Sequence, residues 1–230
     1  FYCPGYRMVE GWPQPIKCWY YPRAHGSQNL YQAIQNSCNP AFIDIGQAVG
    51  AKTFLGYYKA FGLDEPTGID LPSEGKSIFH SEEQFLSNKV DLATASFGQN
   101  FQISPLQLIT AVSAVANGGN LMKPYIVKEI LDGDGNIVES TEPTVVRQVI
   151  SEETSELMSD ILETVVSEGT GKNAYVAGYH IAGKTGTSEK KAKQAETGRN
   201  DLRISSFIAF APADDPQVAV LGILDEPTVQ

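Results

Sequence analysis

The chain has 230 residues, 42% of them hydrophobic and 10% aromatic, which is enough for an ordinary globular protein with a sizeable buried core. It carries 17 basic and 27 acidic residues, and the net charge of −10 argues against binding to nucleic acid or to an anionic membrane surface. No apolar run approaches the ~20 residues that a membrane-spanning helix needs.

The first 26 residues are rich in Pro, Gly and aromatic side chains and are predicted to form an irregular arm. The chain begins Phe-Tyr-Cys-Pro, with neither a Met nor a basic flank. Such a start is typical neither of a natural N-terminus nor of a signal peptide. We therefore expect these residues to be a piece of a longer protein.

Cysteine and histidine are the residue types that would hold a metal or form a disulfide. Cys3 and Cys18 bracket a short loop, and two outcomes stay open: a disulfide worth ~3 kcal/mol, which would indicate an extracytoplasmic setting, or two separate thiols. No second Cys pair or His pair lies near them, so a zinc site is not expected. His25, His80 and His180 are isolated in sequence and are expected to be structural. The sequence predicts no metal and no cofactor.

A mainly helical lobe is predicted over residues 27–120. Capping residues and apolar residues at helical spacing mark its helices. The second helix has Pro40 in its first turn and is expected to end at Gly50, and the last ends in an Asn-Gly-Gly sequence. The helices are expected to begin at Ser27, Asn39, residue 52, Ser81 and Ser104.

Residues 121–230 are predicted to supply a hairpin, a long helix and the strands of a sheet. The hairpin turns at Asp-Gly-Asp-Gly, and the helix covers Ser151–Glu168. Three extended segments close the chain over 178–190, 204–211 and 217–225, and the turn PADDP makes the last two antiparallel. Consecutive strands predict an α+β fold, a helical lobe packed on an antiparallel sheet, rather than a doubly wound parallel sheet. The side chains expected to face inward from the long helix are Leu157, Ile161, Leu162 and Val165.

The stretch GYHIAGKTGTSEK, residues 178–190, matches two different functional motifs. Read from Gly178, it is G-x-x-x-x-G-K-T, the phosphate-binding loop of nucleotide hydrolases, and the strand VAVLGILDE could then hold magnesium. That loop needs a buried strand before Gly178 and a helix after Lys184, and neither flank has the apolar residues to form them. A P-loop nucleotide hydrolase is therefore the disfavoured alternative.

The same stretch contains Lys184-Thr185-Gly186, and here the flanks meet the requirements of the motif. On a strand, Thr185 and Thr187 share a face and can donate hydrogen bonds to a carboxylate, while Lys184 reaches toward the helical lobe. Gly186 lets a ligand backbone lie close to the strand. A matching Ser-x-Asn, residues 37–39, lies at a junction of two predicted helices, although this pair alone is more typical of helix capping.

These motifs follow one another in the order typical of one family. HGSQNLYQAIQNSCNPAFIDIG, TGIDLP, ASFGQNFQISPLQLITAVSAVANGG, GTGKNAYVAGYHIAGKTGTSE and SSFIAFAPADDPQVAVLGILDEP extend over essentially the whole chain. The chain resembles class B penicillin-binding proteins, the D,D-transpeptidases of cell division and sporulation. The resemblance implies a fold like that of serine β-lactamases, incomplete at both ends, since the family's first strands and C-terminal helix are not recognised here.

The resemblance implies acyl transfer. A serine attacks the carbonyl between the two D-Ala residues of a peptidoglycan stem peptide, and the amine of a second stem peptide then accepts the acyl group. The implied catalytic residues of this chain are Ser37, Asn39 and Lys184. The implied substrate-binding residues are Thr185, Gly186 and Thr187, and the Thr187 N–H is implied to donate to an oxyanion hole.

The nucleophile of that family belongs to an S-x-x-K motif that opens a buried helix, where the Lys can be kept neutral. This chain contains two S-x-x-K matches, Ser73–Lys76 and Ser188–Lys191. Both lie in polar stretches after Ser37, and neither is expected to serve. This chain alone is therefore expected to be inactive.

The expected partners are peptidoglycan stem peptides and β-lactams, at the extracellular face of the bacterial cytoplasmic membrane. Nucleic acid is excluded, and membrane contact is expected only through an N-terminal anchor outside these residues. Exposed sheet edges predict strand exchange or dimerisation. Two further alternatives are a non-catalytic sensor of muropeptides or β-lactams, and a serine β-lactamase, which lacks support because no deacylating Glu loop is recognised.

Overall fold

A computed structural model describes residues 1–228, which form eight α-helices and eleven strands. The helices are α1 (Leu30–Gln35), α2 (Asn39–Val49), α3 (Ala51–Ala60), α4 (Glu82–Ser87), α5 (Lys89–Ser96), α6 (Pro105–Ala116), α7 (Glu152–Ser167) and α8 (Lys191–Thr197). The strands are β1 (Tyr2–Cys3), β2 (Tyr6–Arg7), β3 (Ile16–Lys17), β4 (Gly26–Ser27), β5 (Asn120–Met122), β6 (Glu129–Leu131), β7 (Ile137–Ser140), β8 (Val145–Gln148), β9 (Ala182–Glu189), β10 (Arg203–Ala211) and β11 (Val218–Asp225).

The last three strands form the sheet on which the helices pack. They are antiparallel, in the order β11-β10-β9. Helix α7 contacts β9, and α6 contacts β10 and β11. Ile161, Leu162 and Val165 of α7 are buried together with Ala182 of β9 and Phe210 of β10. The predicted α+β fold, with helices on an antiparallel sheet, is confirmed.

Helix α7 has the predicted buried face with one exception. Leu157 is 46% exposed, so its inward placement was wrong. The buried face instead includes Ser155 and Ser159, whose small side chains let α7 lie close to α6. The Ser155 hydroxyl donates to the Val115 carbonyl of α6, which satisfies its polar atom inside the interface.

Some helix starts in the N-terminal half differ from the prediction. Helix α1 is capped by Asn29 rather than by Ser27, and the Asn29 side chain accepts the Gln32 N–H at 2.9 Å. Asn39 is the first residue of α2 rather than its cap. Helix α5 was not predicted, because its buried side includes Asp91, which receives hydrogen bonds from two neighbouring amides instead of showing an apolar pattern.

The N-terminal arm is more ordered than its composition indicates. Strand β1 pairs with β4, β2 pairs with β3, and the Cys18 N–H donates to the Gly5 carbonyl at 2.8 Å. The arm packs on α2, with Cys3, Val9 and Cys18 as its buried apolar side chains. All three cysteines of the chain are free thiols, so the Cys3–Cys18 disulfide is not formed.

The remaining strands lie at the periphery. Strands β6 and β7 form the predicted hairpin around the Asp-Gly-Asp-Gly turn, and β5 pairs with β8. Among residues 1–228, none of the helices combines the length and the apolar composition required to cross a lipid bilayer.

Candidate active site

Ser37 lies in the turn that joins α1 to α2. Its N–H donates to the Ile34 carbonyl at 3.1 Å, and the Cys38 N–H donates to the Ala33 carbonyl at 3.0 Å. These two bonds form a Schellman helix end, in which the residue after the cap adopts a left-handed conformation that favours glycine. Ser37 occupies that position with φ of 48°. The two hydrogen bonds therefore hold the backbone of Ser37 in a conformation that costs free energy for a residue with a side chain.

Lys184 lies on the face of β9 that packs against the helices, two residues from the buried Ala182. Its Nζ donates to the Ser37 Oγ at 2.8 Å and to the Thr185 carbonyl at 3.0 Å. Burial lowers the pKa of Lys184 to about 8, because desolvation disfavours the ammonium ion. The structure thus brings together the two predicted motifs, which are separated by 147 positions in the sequence.

The phosphate-loop interpretation of residues 178–185 has no counterpart in the fold. Lys184 and Thr185 lie inside strand β9, and the next helix begins only at Lys191. A phosphate loop would instead lead directly into a helix N-terminus at the Lys-Thr pair. The strand geometry is the one that the Lys-Thr-Gly motif requires.

Within residues 1–228, strand β9 is paired on one side only, with β10. The Lys190 N–H donates to the Leu202 carbonyl across the ladder at 3.1 Å, and N–H groups alternate sides along a strand. The N–H groups of Thr185 and Thr187 must therefore face away from β10. Their carbonyls accept from side chains on that side, the Thr187 carbonyl from Gln99 Nε2 at 3.0 Å. The Thr187 N–H lies on the edge where an extended ligand could bind.

Two residues that were not predicted as site residues contact this strand. Thr170, in the turn after α7, accepts a hydrogen bond from the Thr185 hydroxyl at 3.2 Å, and its N–H donates to the Gln35 carbonyl at 3.0 Å. Gln99, in the loop after α5, holds the Thr187 carbonyl. Thr170 and Gln99 both lie within the sequence segments that resemble the family. Their contacts with β9 could not be predicted, because no fixed spacing relates these segments to the strand.

No hydrogen bond joins Asn39 to Lys184 in the part of the chain that the structure describes. Within residues 1–228, the side chain of Asn39 makes one hydrogen bond, from its Nδ2 to the Lys17 carbonyl at 3.1 Å. Gly186 lies opposite Ser206 of β10, and a Cβ at position 186 would lie 2.6 Å from the Ser206 Oγ. The absence of a side chain at Gly186 therefore makes room for the Ser206 hydroxyl of the neighbouring strand.

The two S-x-x-K matches have the wrong surroundings for a nucleophile. Ser73–Lys76 lies in a loop with its Ser and Lys exposed. Ser188 is an exposed residue at the end of β9, and Lys191 starts α8. Neither serine begins a buried helix, which is the position expected for the nucleophile of an S-x-x-K motif.

Cys38, between Ser37 and Asn39, belongs to a group of side chains that could hold a metal ion. Its thiol lies close to those of Cys3 and Cys18 and to the imidazole of His25. The spacing of Cys3 and Cys18 does not indicate a zinc site, because the fold rather than a short sequence motif brings Cys38 and His25 to them.

Known proteins are similar to this chain over nearly its whole length. A family model described as the penicillin binding protein transpeptidase domain matches residues 3–230. Stage V sporulation protein D of Bacillus subtilis is 43% identical over 228 residues, 99% of this chain and 34% of that protein. A peptidoglycan D,D-transpeptidase FtsI homolog of Mesostigma viride is 29% identical over 215 residues, 87% of this chain and 36% of that protein.

A solved structure gives the same result at the level of the fold. Penicillin binding protein 3 from Mycobacterium tuberculosis, complexed with ampicillin, is similar with a TM-score of 0.87 and 26% identity, over 99% of this chain and 50% of that one. The chain spans about a third of the length of the two curated relatives. Its fold, motif order and family match agree, and the chain belongs to the penicillin-binding protein transpeptidase family, in class B.

Proposed function

We propose that this chain carries part of the active site of a serine-type D,D-transpeptidase, which cross-links peptidoglycan stem peptides through an acyl-enzyme and binds β-lactams. The observation that carries the proposal is the 2.8 Å hydrogen bond from Lys184 Nζ to Ser37 Oγ. It joins a strand motif to a helical-lobe motif in a geometry suited to proton transfer. The names of the relatives, a D,D-transpeptidase and an ampicillin complex, support the substrate class.

Lys184 and Ser37 have the properties of a proton-transfer pair. A pKa of about 8 lets Lys184 gain or lose a proton near neutral pH, the range in which acid–base catalysis is most efficient. We propose that the pair passes a proton to the leaving D-Ala amine. In its charged form, Lys184 also attracts the terminal carboxylate of the substrate.

The edge of β9 and Asn39 would bind the rest of the substrate. The Thr187 hydroxyl would donate to the terminal carboxylate, and the Thr185 hydroxyl would turn from Thr170 to do the same. The Thr187 N–H would donate to the oxyanion, a contribution of ~3–4 kcal/mol in other enzymes. Gly186 leaves room for the substrate backbone. Asn39 keeps its carbonyl oxygen for a substrate N–H while its Nδ2 stays bonded to Lys17.

The attacking serine, in this proposal, is not among these 230 residues. The exposed positions of Ser73 and Ser188 support this, because neither serine has a buried lysine beside it as a base. The isolated chain is therefore inactive. The intact protein would be anchored in the cytoplasmic membrane with this domain on the extracellular face, where its substrate is.

Labelling with a fluorescent penicillin tests the proposal. The protein expressed from its complete reading frame should keep a covalent label after denaturation, and residues 1–230 alone should not. Lys184→Ala should lower the labelling rate at least tenfold, whereas Lys128→Ala, at a side chain that is 80% exposed on the hairpin, should not change it. Labelling of the isolated chain, or equal rates for both variants, would contradict the proposal.

The same experiment separates the enzyme from its alternative. A non-catalytic sensor would bind the penicillin reversibly, and the protein from the complete reading frame would then retain no label after denaturation. The short Lys184–Ser37 bond and the lowered pKa of Lys184 favour the enzyme, since ligand binding alone does not require a lysine that titrates near neutral pH.

A further inference from the structure

Three cysteines and one histidine from separate parts of the first 38 residues meet beside Ser37. Cys3, Cys18 and Cys38 are 0%, 3% and 0% exposed, and His25 is partly buried. Their three sulfur atoms and one ring nitrogen of His25 all lie within 4.8 Å of one another. We propose that these four side chains form a structural zinc site with three thiolate ligands and one imidazole ligand.

The spacing of the four atoms fits a tetrahedral ion. With Zn–S bonds of ~2.3 Å and a Zn–N bond of ~2.0 Å, ligand atoms lie roughly 3.5–3.8 Å apart. The Cys18 Sγ and the His25 Nδ1 are already 3.5 Å apart, and the whole set needs only a small contraction. Thiolate and imidazole ligands select zinc over magnesium or calcium, which prefer oxygen. Binding would form three Zn–S bonds and one Zn–N bond and release the three thiol protons.

The side chain of Gln28 lies beside the Cys38 sulfur. The Gln28 Nε2 is buried and has no hydrogen-bond partner within the described residues. Such donors stabilise metal-bound thiolates, whereas a neutral thiol is a weak acceptor.

The N-terminal arm has few other contacts that could stabilise it. Residues 1–27 form only four strands of two residues each, and few of their apolar side chains are buried. The pairing of β1 with β4 places Cys3 opposite Gly26, directly beside His25, and the pairing of β2 with β3 returns the chain to Cys18. The tilted ring of Trp19 and the stacked ring of Tyr20 enclose the imidazole. A metal can stabilise a segment that is too small to build its own core.

The proposed metal site also includes Cys38, the residue that follows Ser37. Cys38 closes the Schellman end of α1 and is the cap residue of α2, so a metal bound to it would fix the turn that holds Ser37. This consequence rests on the proposed function, whereas the metal site itself does not.

Metal analysis of the protein expressed from its complete reading frame tests the site. Mass spectrometry of the metal content should find about one zinc per chain. Cobalt(II) added to the metal-free protein should give the visible bands of a tetrahedral ion together with thiolate charge-transfer absorption. His25→Gln should weaken zinc binding more than tenfold in competition with a chelator. His180→Gln is the matched control, since this exposed histidine pairs with Glu163 far from the cluster and should leave binding unchanged.

Two outcomes would overturn the site. One is a reduced protein that neither contains zinc nor gives the tetrahedral cobalt spectrum. The other is a protein that, after alkylation and mass spectrometry, has a Cys3–Cys18 disulfide, a free Cys38 and no metal. Because both are measured on the unaltered sequence, misfolding of a cysteine variant cannot obscure them.

Removal of the zinc tests the link to Ser37. The chelated protein should unfold at a temperature at least about 5 °C lower and should react more slowly with the fluorescent penicillin, and added zinc should restore both. If removal of zinc lowers the metal content and the melting temperature but leaves the labelling rate unchanged, the metal site is confirmed and its effect on Ser37 is wrong.

Discussion

Lys184 is surrounded by neutral oxygen atoms. Its ammonium donates to a hydroxyl and to a backbone carbonyl, and burial lowers its pKa to about 8. A lysine exposed to solvent would titrate near 10.4 and would keep its charge throughout the physiological range. The charge of this residue therefore changes near pH 8 rather than near pH 10.

The pH dependence of acylation should report this titration. If the charged form binds the substrate carboxylate, the second-order rate of penicillin labelling should fall up to tenfold per pH unit above about 8, because the folded protein loses the proton there. Lys184→Arg should be slower overall but should lose this alkaline limb, since arginine stays charged. An alkaline limb that is identical in both proteins would assign the titration to another group.

Ser37 combines a hydroxyl that is bonded to Lys184 with a backbone conformation that suits glycine. Ser37→Gly and Ser37→Ala both remove the bond to Lys184, but only glycine relieves the left-handed strain. We expect the glycine variant to be more stable than the alanine variant by ~1 kcal/mol in urea unfolding, and both to label slowly. Equal stabilities of the two variants would mean that the backbone at position 37 is not strained.

At the scale of elements, the turn after α7 connects the sheet to the end of α1. Gly169 packs so closely that a Cβ there would lie 2.7 Å from the Gln35 carbonyl and 2.9 Å from the Val165 carbonyl. Both contacts are with backbone atoms, which cannot rotate away. The next residue, Thr170, binds Gln35 and Thr185, so this approach supports the site directly.

Gly169→Ala should therefore push the turn away from α1. We expect a loss of ~1–3 kcal/mol of stability and slower labelling. Gly56→Ala is the matched control: Gly56 is exposed in α3 with no atom within 4 Å of its added Cβ, and alanine should stabilise that helix by ~0.5–1 kcal/mol. If both variants behave alike, the contact with Gln35 does not hold the turn in place.

The sequence predicts elements well where local chemistry is strong. The helix start at Ser104, the long helix α7 and the PADDP turn between strands all form as expected. It fails where two local signals compete, as at Ser27 and Asn29, or where a buried polar network replaces apolar periodicity, as in α5. The inward placement of Leu157 was wrong because the buried side of α7 carries the small residues Ser155 and Ser159, and Leu157 lies on the opposite side of the helix.

At the scale of the molecule, one face of the sheet is uncovered within residues 1–228. Ala219 of β11 packs toward the core near α6, whereas Val218, Val220 and Leu224 are 55%, 59% and 63% exposed. The outer edge of β11 is also unpaired in this range. We propose that the isolated chain dimerises through this edge and face, because unpaired strands with apolar side chains associate.

Sedimentation of residues 1–230 should show association that depends on concentration. Val220→Lys should weaken the association at least tenfold, since a charge on the sheet face opposes pairing. Val146→Lys, at an exposed position of β8 outside the sheet, should have no effect. A chain that remains monomeric at high concentration would contradict this proposal.

The site as a whole could be predicted only in part. Ser37 and Lys184 are recognisable because each belongs to a short motif with a chemical reason for its residue types. Thr170, Gln99 and the cluster around Cys38 depend on contacts between distant segments, and single-sequence patterns do not encode those contacts. Asn39 is the opposite case: its motif is recognisable in the sequence, but the motif did not predict that its side chain would donate to the Lys17 carbonyl.

The free edge of β9 has a consequence for inhibitor chemistry. If a stem peptide were to add there as a further strand, as the proposed function requires, its main chain would supply most of the contacts. The groups that this edge offers are backbone groups of Thr185 and Thr187. Exchanging one stem side chain for another would then alter affinity only slightly. Methylation of a single backbone nitrogen that docks on this edge would weaken binding far more.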